Sequence, residues 1–185
     1  MGILLAFAPF IVFAVVDRFG GSTIALFAGA AVSAALIVRD LASSGRSPKI
    51  LEIGTLILFA ALAVYAVVGD PHWSIFGVRL AVDAGLLAIV LISIAVRVPF
   101  TMQYAREQVA PEFWNHPRFR RVNDIISAGW AAAFAVMVAA DAVLVYVPAL
   151  PPVYGIVVTV LALYVAIRFT AWYPARVRRE QAAAG

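Results

Sequence analysis

The stretch "FGVRLAVDAGLLAIVLI", residues 76 to 92, sets Arg79 and Asp83 four residues apart in a run that is otherwise almost all aliphatic. On a helix that spacing puts both side chains on one face, one turn apart, where they can form an ion pair. Asp141 lies in a similar setting in "AVMVAADAVLVYVP", and Glu52 and Arg168 sit near the ends of two further apolar runs. Ionisable groups in such places can relay protons, bind an ion or clamp helices together. Little else offers chemistry. The two histidines, His72 and His116, lie in different connections, cysteine is absent, and no phosphate-binding glycine loop, nucleophile elbow or zinc-type spacing occurs. No catalytic residue, metal or cofactor is expected.

The elements that must position these charges follow from composition. Of 185 residues, 64% are hydrophobic and 13% charged, too little polar cover for a soluble domain of this size. The chain reads as an all-helical, polytopic membrane bundle forming a single membrane domain over 1–185. Apolar runs at 2–16, 20–38, 50–69, 74–96, 125–147 and 150–173 give six spans, with one long loop at 97–124. The first run is short, at about 22 Å, and must borrow from Asp17–Gly20. It is expected to be retained rather than cleaved as a signal peptide, because no basic residue precedes it and Asp17, Arg18 and Phe19 stand where small cleavage-site residues belong.

Eleven of the fourteen basic residues fall in the connection 39–49, the loop 97–124 and the tail, against Arg18 alone on the opposite side. The positive-inside rule therefore puts both termini on the cytoplasmic side of the membrane. The basic balance reports topology and contact with anionic headgroups, not nucleic-acid binding. Trp73, Tyr146, Tyr154, Trp172 and Tyr173 fall at span ends, as interfacial anchors do. Gly29 and Ser33, four apart, permit close helix approach within the bundle or between subunits of a homo-oligomer. In this frame Arg79, Asp83 and Asp141 share the outer half of the membrane, and the reading is that Arg79 pairs with both acids. Glu52 and Arg168 form a second candidate pair nearer the cytoplasm.

The loop "VRVPFTMQYAREQVAPEFWNHPRFRRVND" predicts a short helix around 99–109, a break at Pro111, and a second helix that starts after His116–Pro117 and runs into the fifth span. Its mixture of Phe, Trp and Arg predicts an interfacial segment at the inner surface. Pro111, Phe113, Trp114, Arg118, Arg120 and Arg121 are the residues that would contact anionic lipid or a cytoplasmic partner.

On the segments "LLAFAPFIVFAVVDRFGGSTIALFAGAAVSAALIV", "PFTMQYAREQVAPEFWNHPRFRRVND" and "AGWAAAFAVMVAADAVLVYVP", the chain resembles the bacterial intracellular septation protein A family, the inner membrane-spanning proteins. Pro9, the Pro-x-x-Trp of Pro111 and Trp114, and Trp130 match that pattern, while Asp141 stands where the family has Asn. The resemblance implies a noncatalytic inner-membrane protein that supports envelope maintenance, septation and elongation through envelope or division proteins. The intramembrane charges Arg79, Asp83 and Asp141 raise the alternative of a small transporter or channel, and a membrane-embedded enzyme is the third reading.

Overall fold

In the computed structural model, which describes residues 2–43, 47–69 and 74–182, every regular element is helical. The order is α1 (Gly2–Leu5), α2 (Ala8–Gly20), α3 (Ser22–Ala42), α4 (Ile50–Val68), α5 (Ile75–Ala95), α6 (Phe100–Arg106), a 3₁₀ turn at Pro111–Phe113, α7 (Pro117–Tyr146) and α8 (Val153–Ala182). Helices α3, α4, α5, α7 and α8 are long and apolar enough to cross a membrane. Their outward side chains, among them Ile57, Val64, Val160, Leu161 and Val165, are exposed apolar groups that water would not tolerate in such number and that lipid accommodates. The chain is a helical membrane protein. Trp73, His72 and Arg46 lie outside the described residues.

The first apolar run is divided, for a reason legible in one residue. Pro9 has no N–H to offer the Leu5 carbonyl, and its ring crowds that group, so α1 stops at Leu5. The chain restarts with Pro9 tolerated in the first turn of α2, where Phe10 and Ile11 both donate to the Phe7 carbonyl at 3.1 Å. The thirteen residues of α2 rise about 20 Å, short of a hydrocarbon core of about 30 Å. Among the described residues five helices are each long and apolar enough to cross, and the first of the six runs read from sequence corresponds to α1 and α2 together. The α2–α3 turn is a single residue, Gly21, at φ +81°, a conformation that favours glycine. Ser22 closes it by donating to Asp17 at 2.7 Å.

By their internal contacts the residues form two compact units, 1–89 and 90–185, whose boundary falls within α5. In the first, α3 packs against both α2 and α4 around Phe13, Leu26, Phe59, Val78 and Val82. The Phe59 ring lies where a Cβ on Gly29 would stand, 2.8 Å from it, and Ser33 returns its hydroxyl to the Gly29 carbonyl at 2.9 Å. The small-residue spacing on α3 therefore serves packing inside this unit. In the second unit, α7 packs against α6 and α8. The ring of Phe169 on α8 fits over Gly129 of α7.

Candidate functional site

The densest set of buried charges lies where α3 gives way to α4. Asp40 is in the last turn of α3 and is fully buried, a poor place for an anion because helix C-termini carry partial negative charge. Two cations answer it. Arg39 places Nε and one terminal nitrogen on Asp40 Oδ1, at 2.9 and 2.6 Å, and the Lys49 ammonium reaches Oδ2 at 2.5 Å. Lys49 precedes α4 and is itself unfavourable at a positive helix start, so the Asp40–Lys49 contact relieves both ends at once. Glu52, in the third helical position, accepts the Lys49 backbone N–H at 3.2 Å and lies 3.5 Å from its ammonium. The side chains of Lys49, Asp40 and Glu52 are 5%, 0% and 2% exposed, and with Arg39 the group is formally neutral. Such an arrangement can hold a helix turn closed.

The second unit concentrates its polar contacts where the long loop meets α7. Helix α5 ends at a left-handed residue, Arg97 at φ 60°, with Val98 donating to Ser93 at 3.0 Å and Arg97 to Ile94 at 2.9 Å, and Pro99 prevents continuation. The Ser93 hydroxyl then accepts the first N–H of α6, from Phe100, at 3.2 Å. Helix α6 buries Phe100, Thr101, Met102 and Tyr104, and Thr101 is 2.8 Å from the Ser127 hydroxyl and donates to the Asn123 carbonyl at 3.0 Å. These contacts dock α6 on α7. Trp130, also buried, stacks edge-on with Phe100 and donates its indole N–H to Thr170 of α8 at 2.9 Å. One tryptophan therefore joins α6, α7 and α8.

The break in the loop is ordered as well. Trp114 donates to the Val109 carbonyl at 2.9 Å, with the Arg106 guanidinium 5.3 Å from its ring centre. His116 accepts the Arg118 N–H at 3.3 Å and caps the start of α7. Pro111, Phe113, Arg118, Arg120 and Arg121 are exposed on this framework. The helix, break and helix stand where the sequence puts them, but the apolar side chains Phe100, Met102 and Tyr104 are spent on protein contact and leave Phe113 as the exposed aromatic.

The other charges singled out in the sequence fall as follows. Arg79 and Asp83 lie half-buried on α5 in the first unit, and Asp141 is fully buried on α7 in the second. None of the three is without an interaction partner. Asp141 Oδ1 stands 3.9 Å from where a Cβ on Gly155 would be, which sets the carboxylate beside the first turn of α8, the positive end of that helix. Glu52 is engaged by Lys49, and Arg168 is exposed on α8, in the other unit. Sequence reasoning counted Arg39 and Lys49 only as topology signals and passed over Asp40. The clue was present: Pro48 followed by an acid four positions on marks a helix start, and an acid in the last turn of the preceding helix needs a cation. Among the described residues no group of three metal-binding side chains converges.

The fold and these contacts define the class: a polytopic helical membrane protein whose helix ends are pinned by polar contacts. Comparison with protein-family models, with curated proteins and with solved structures returns no match.

Proposed function

We propose that this chain is a noncatalytic scaffold of the bacterial inner membrane, with both termini cytoplasmic, that supports septation, elongation and envelope maintenance through protein partners. The observation that carries this reading is the construction of the loop 97–124. A mere connector needs no internal order, yet this one is docked on α7 through Thr101 and Ser127, braced by Trp114, and left with Phe113 and three arginines facing outward. A fixed ledge with one exposed aromatic and surrounding positive charge suits an acidic, partly apolar protein segment and, around it, anionic headgroups. The resemblance carried by Pro9, Pro111, Trp114 and Trp130 supports the assignment to septation and envelope maintenance, and the eleven-to-one distribution of basic residues supports the orientation.

The test is genetic. Cells deprived of the chain should show altered length and septum placement, restored by the wild-type chain. A variant carrying Phe113→Ala, Arg120→Gln and Arg121→Gln should accumulate in the membrane at normal amounts and fail to restore them. Normal division in the depleted cells, with a defect confined to uptake of a solute, would overturn the proposal in favour of transport.

A further inference from the structure

Helix α8 is the least buried of the long apolar helices, and one of its exposed rows is unlike the rest. Tyr164, Arg168, Trp172 and Arg176 follow one another at intervals of four residues, all exposed, so they line a single stripe. Arg176 lies over the Trp172 ring, 5.3 Å from its centre, and donates to Glu180 at 2.8 Å, so its charge is answered within the helix. Arg168 is different. It is two turns, about 12 Å, closer to the middle of the helix than Arg176, on a surface of Val160, Leu161 and Val165. Among the described residues no carboxylate pairs with it. Side chains on a helix lean toward its N-terminus, which for Arg168 means away from the Trp172 end and toward the apolar middle. Bringing the guanidinium back to water unaided works against that lean.

A charge in this setting is stabilised by a nearby anion, and the described residues supply none. We propose that the stripe formed by Arg168, Trp172 and Arg176 is a binding site for the headgroup of an anionic phospholipid, with the lipid phosphate on Arg168, the Trp172 indole N–H at the headgroup, and the acyl chains along Val160, Leu161 and Val165. Charge complementarity favours lipid over a second copy of this chain. Within the apolar stretches of the helices the acids are Asp17, Asp40, Glu52, Asp83 and Asp141; none is exposed, and each already has a partner, while the exposed Asp124 of α7 and Glu180 of α8 lie outside the apolar runs 125–147 and 150–173. A second copy therefore offers Arg168 no carboxylate at membrane depth.

The experiment uses the full chain, purified in a neutral detergent and titrated with phosphatidylglycerol or phosphatidylcholine, with bound lipids counted by native mass spectrometry. The first phosphatidylglycerol should bind about fivefold to tenfold more tightly than the first phosphatidylcholine, the preference that one or two arginine–phosphate contacts supply. Arg168→Gln should reduce that preference to about twofold or less, Arg168→Lys should keep part of it, and the melting temperature in phosphatidylcholine should be unchanged for both. The triple variant Arg118→Gln, Arg120→Gln, Arg121→Gln should retain the preference for the first lipid. Equal binding of the two lipids, or a preference that survives Arg168→Gln and disappears in the triple variant, would overturn the site. So would an Arg168→Gln variant that changes from dimer to monomer, because the occupant would then be a second copy.

Discussion

Replacing Lys49 with methionine removes the cation that two buried carboxylates share while keeping the length of the side chain. Lys49 lies 2.5 Å from Asp40 and 3.5 Å from Glu52, with all three side chains at most 5% exposed. Removing one partner of a buried pair costs about 3–5 kcal/mol. Here the loss is shared unequally. Asp40 keeps both Arg39 nitrogens, whereas Glu52 retains the single backbone N–H of residue 49 at 3.2 Å. The expected cost is therefore at the lower end, about 3 kcal/mol, which for a chain of 185 residues corresponds to a melting temperature lower by about 6–12 °C. Since the penalty resides mainly in Glu52, adding Glu52→Gln should restore about half of it, although Glu52→Gln alone is destabilising. Arg39→Met should cost less than about 1 kcal/mol, because the Arg39 side chain is 36% exposed and partly screened. Thermal melts of the four variants in one detergent measure the cycle. A Lys49→Met melt within 2 °C of wild type, or a Glu52→Gln effect of equal size and sign in both backgrounds, would refute the coupling.

Three further outcomes are expected. Gly29→Ala should destabilise by about 1–3 kcal/mol despite the better helix propensity of alanine, since its Cβ would meet the buried Phe59 ring at 2.8 Å, whereas Gly20→Ala, with nothing nearer than 3.6 Å, should be neutral or stabilising in the same melts. Trp130→Phe removes the 2.9 Å bond to Thr170 and should cost about 1–2 kcal/mol, with protease accessibility at the α6–α7 junction rising in step. Asp141→Asn should lose about 1 kcal/mol of favourable interaction with the start of α8 while folded yield and the ability to restore cell division persist; normal yield with lost function would assign Asp141 a direct role instead.

How far the sequence carried the fold depended on what ends each helix. The runs at 50–69 and 74–96 differ from α4 and α5 by a residue at an end, because apolar content and helix stop together there. The run at 20–38 stops short of α3 at Ala42, since Arg39 and Asp40 read as a polar boundary but their mutual pairing lets the helix continue through them. Helix α7 begins eight residues before its apolar run, and only the His116–Pro117 capping signal reveals it. The first run is divided in a way hydropathy does not register, because hydropathy counts Pro9 as one residue among many while its missing N–H decides where α1 ends. The site was less legible. Asp40 and Lys49 are nine residues apart across a turn, and Thr101 and Ser127 are twenty-six apart across the loop, separations at which neither helical nor strand periodicity says anything about contact.

The distribution of contacts bears on what the chain can do. In lipid the hydrophobic effect does not drive helices together, so association rests on close packing and on polar contacts. Close packing is supplied here by Gly29, Gly129 and Gly155, each lying against a large side chain of the neighbouring helix. Polar contacts are made at helix ends by Asp40 with Lys49 in one unit and by Ser93 and Thr101 in the other, and inside helices by Ser127 of α7 and by the Trp130–Thr170 bond between α7 and α8. A transport cycle routed through Asp40 or Glu52 would have to leave Lys49 without its counter-charge at each turnover, at a cost of several kcal/mol. A static clamp has no such step. The charges of this turn are thus suited to holding the α3–α4 turn closed rather than to carrying an ion, and the surfaces through which the proposed scaffold would act are those facing outward: the arginine ledge of the loop and the Arg168 stripe of α8.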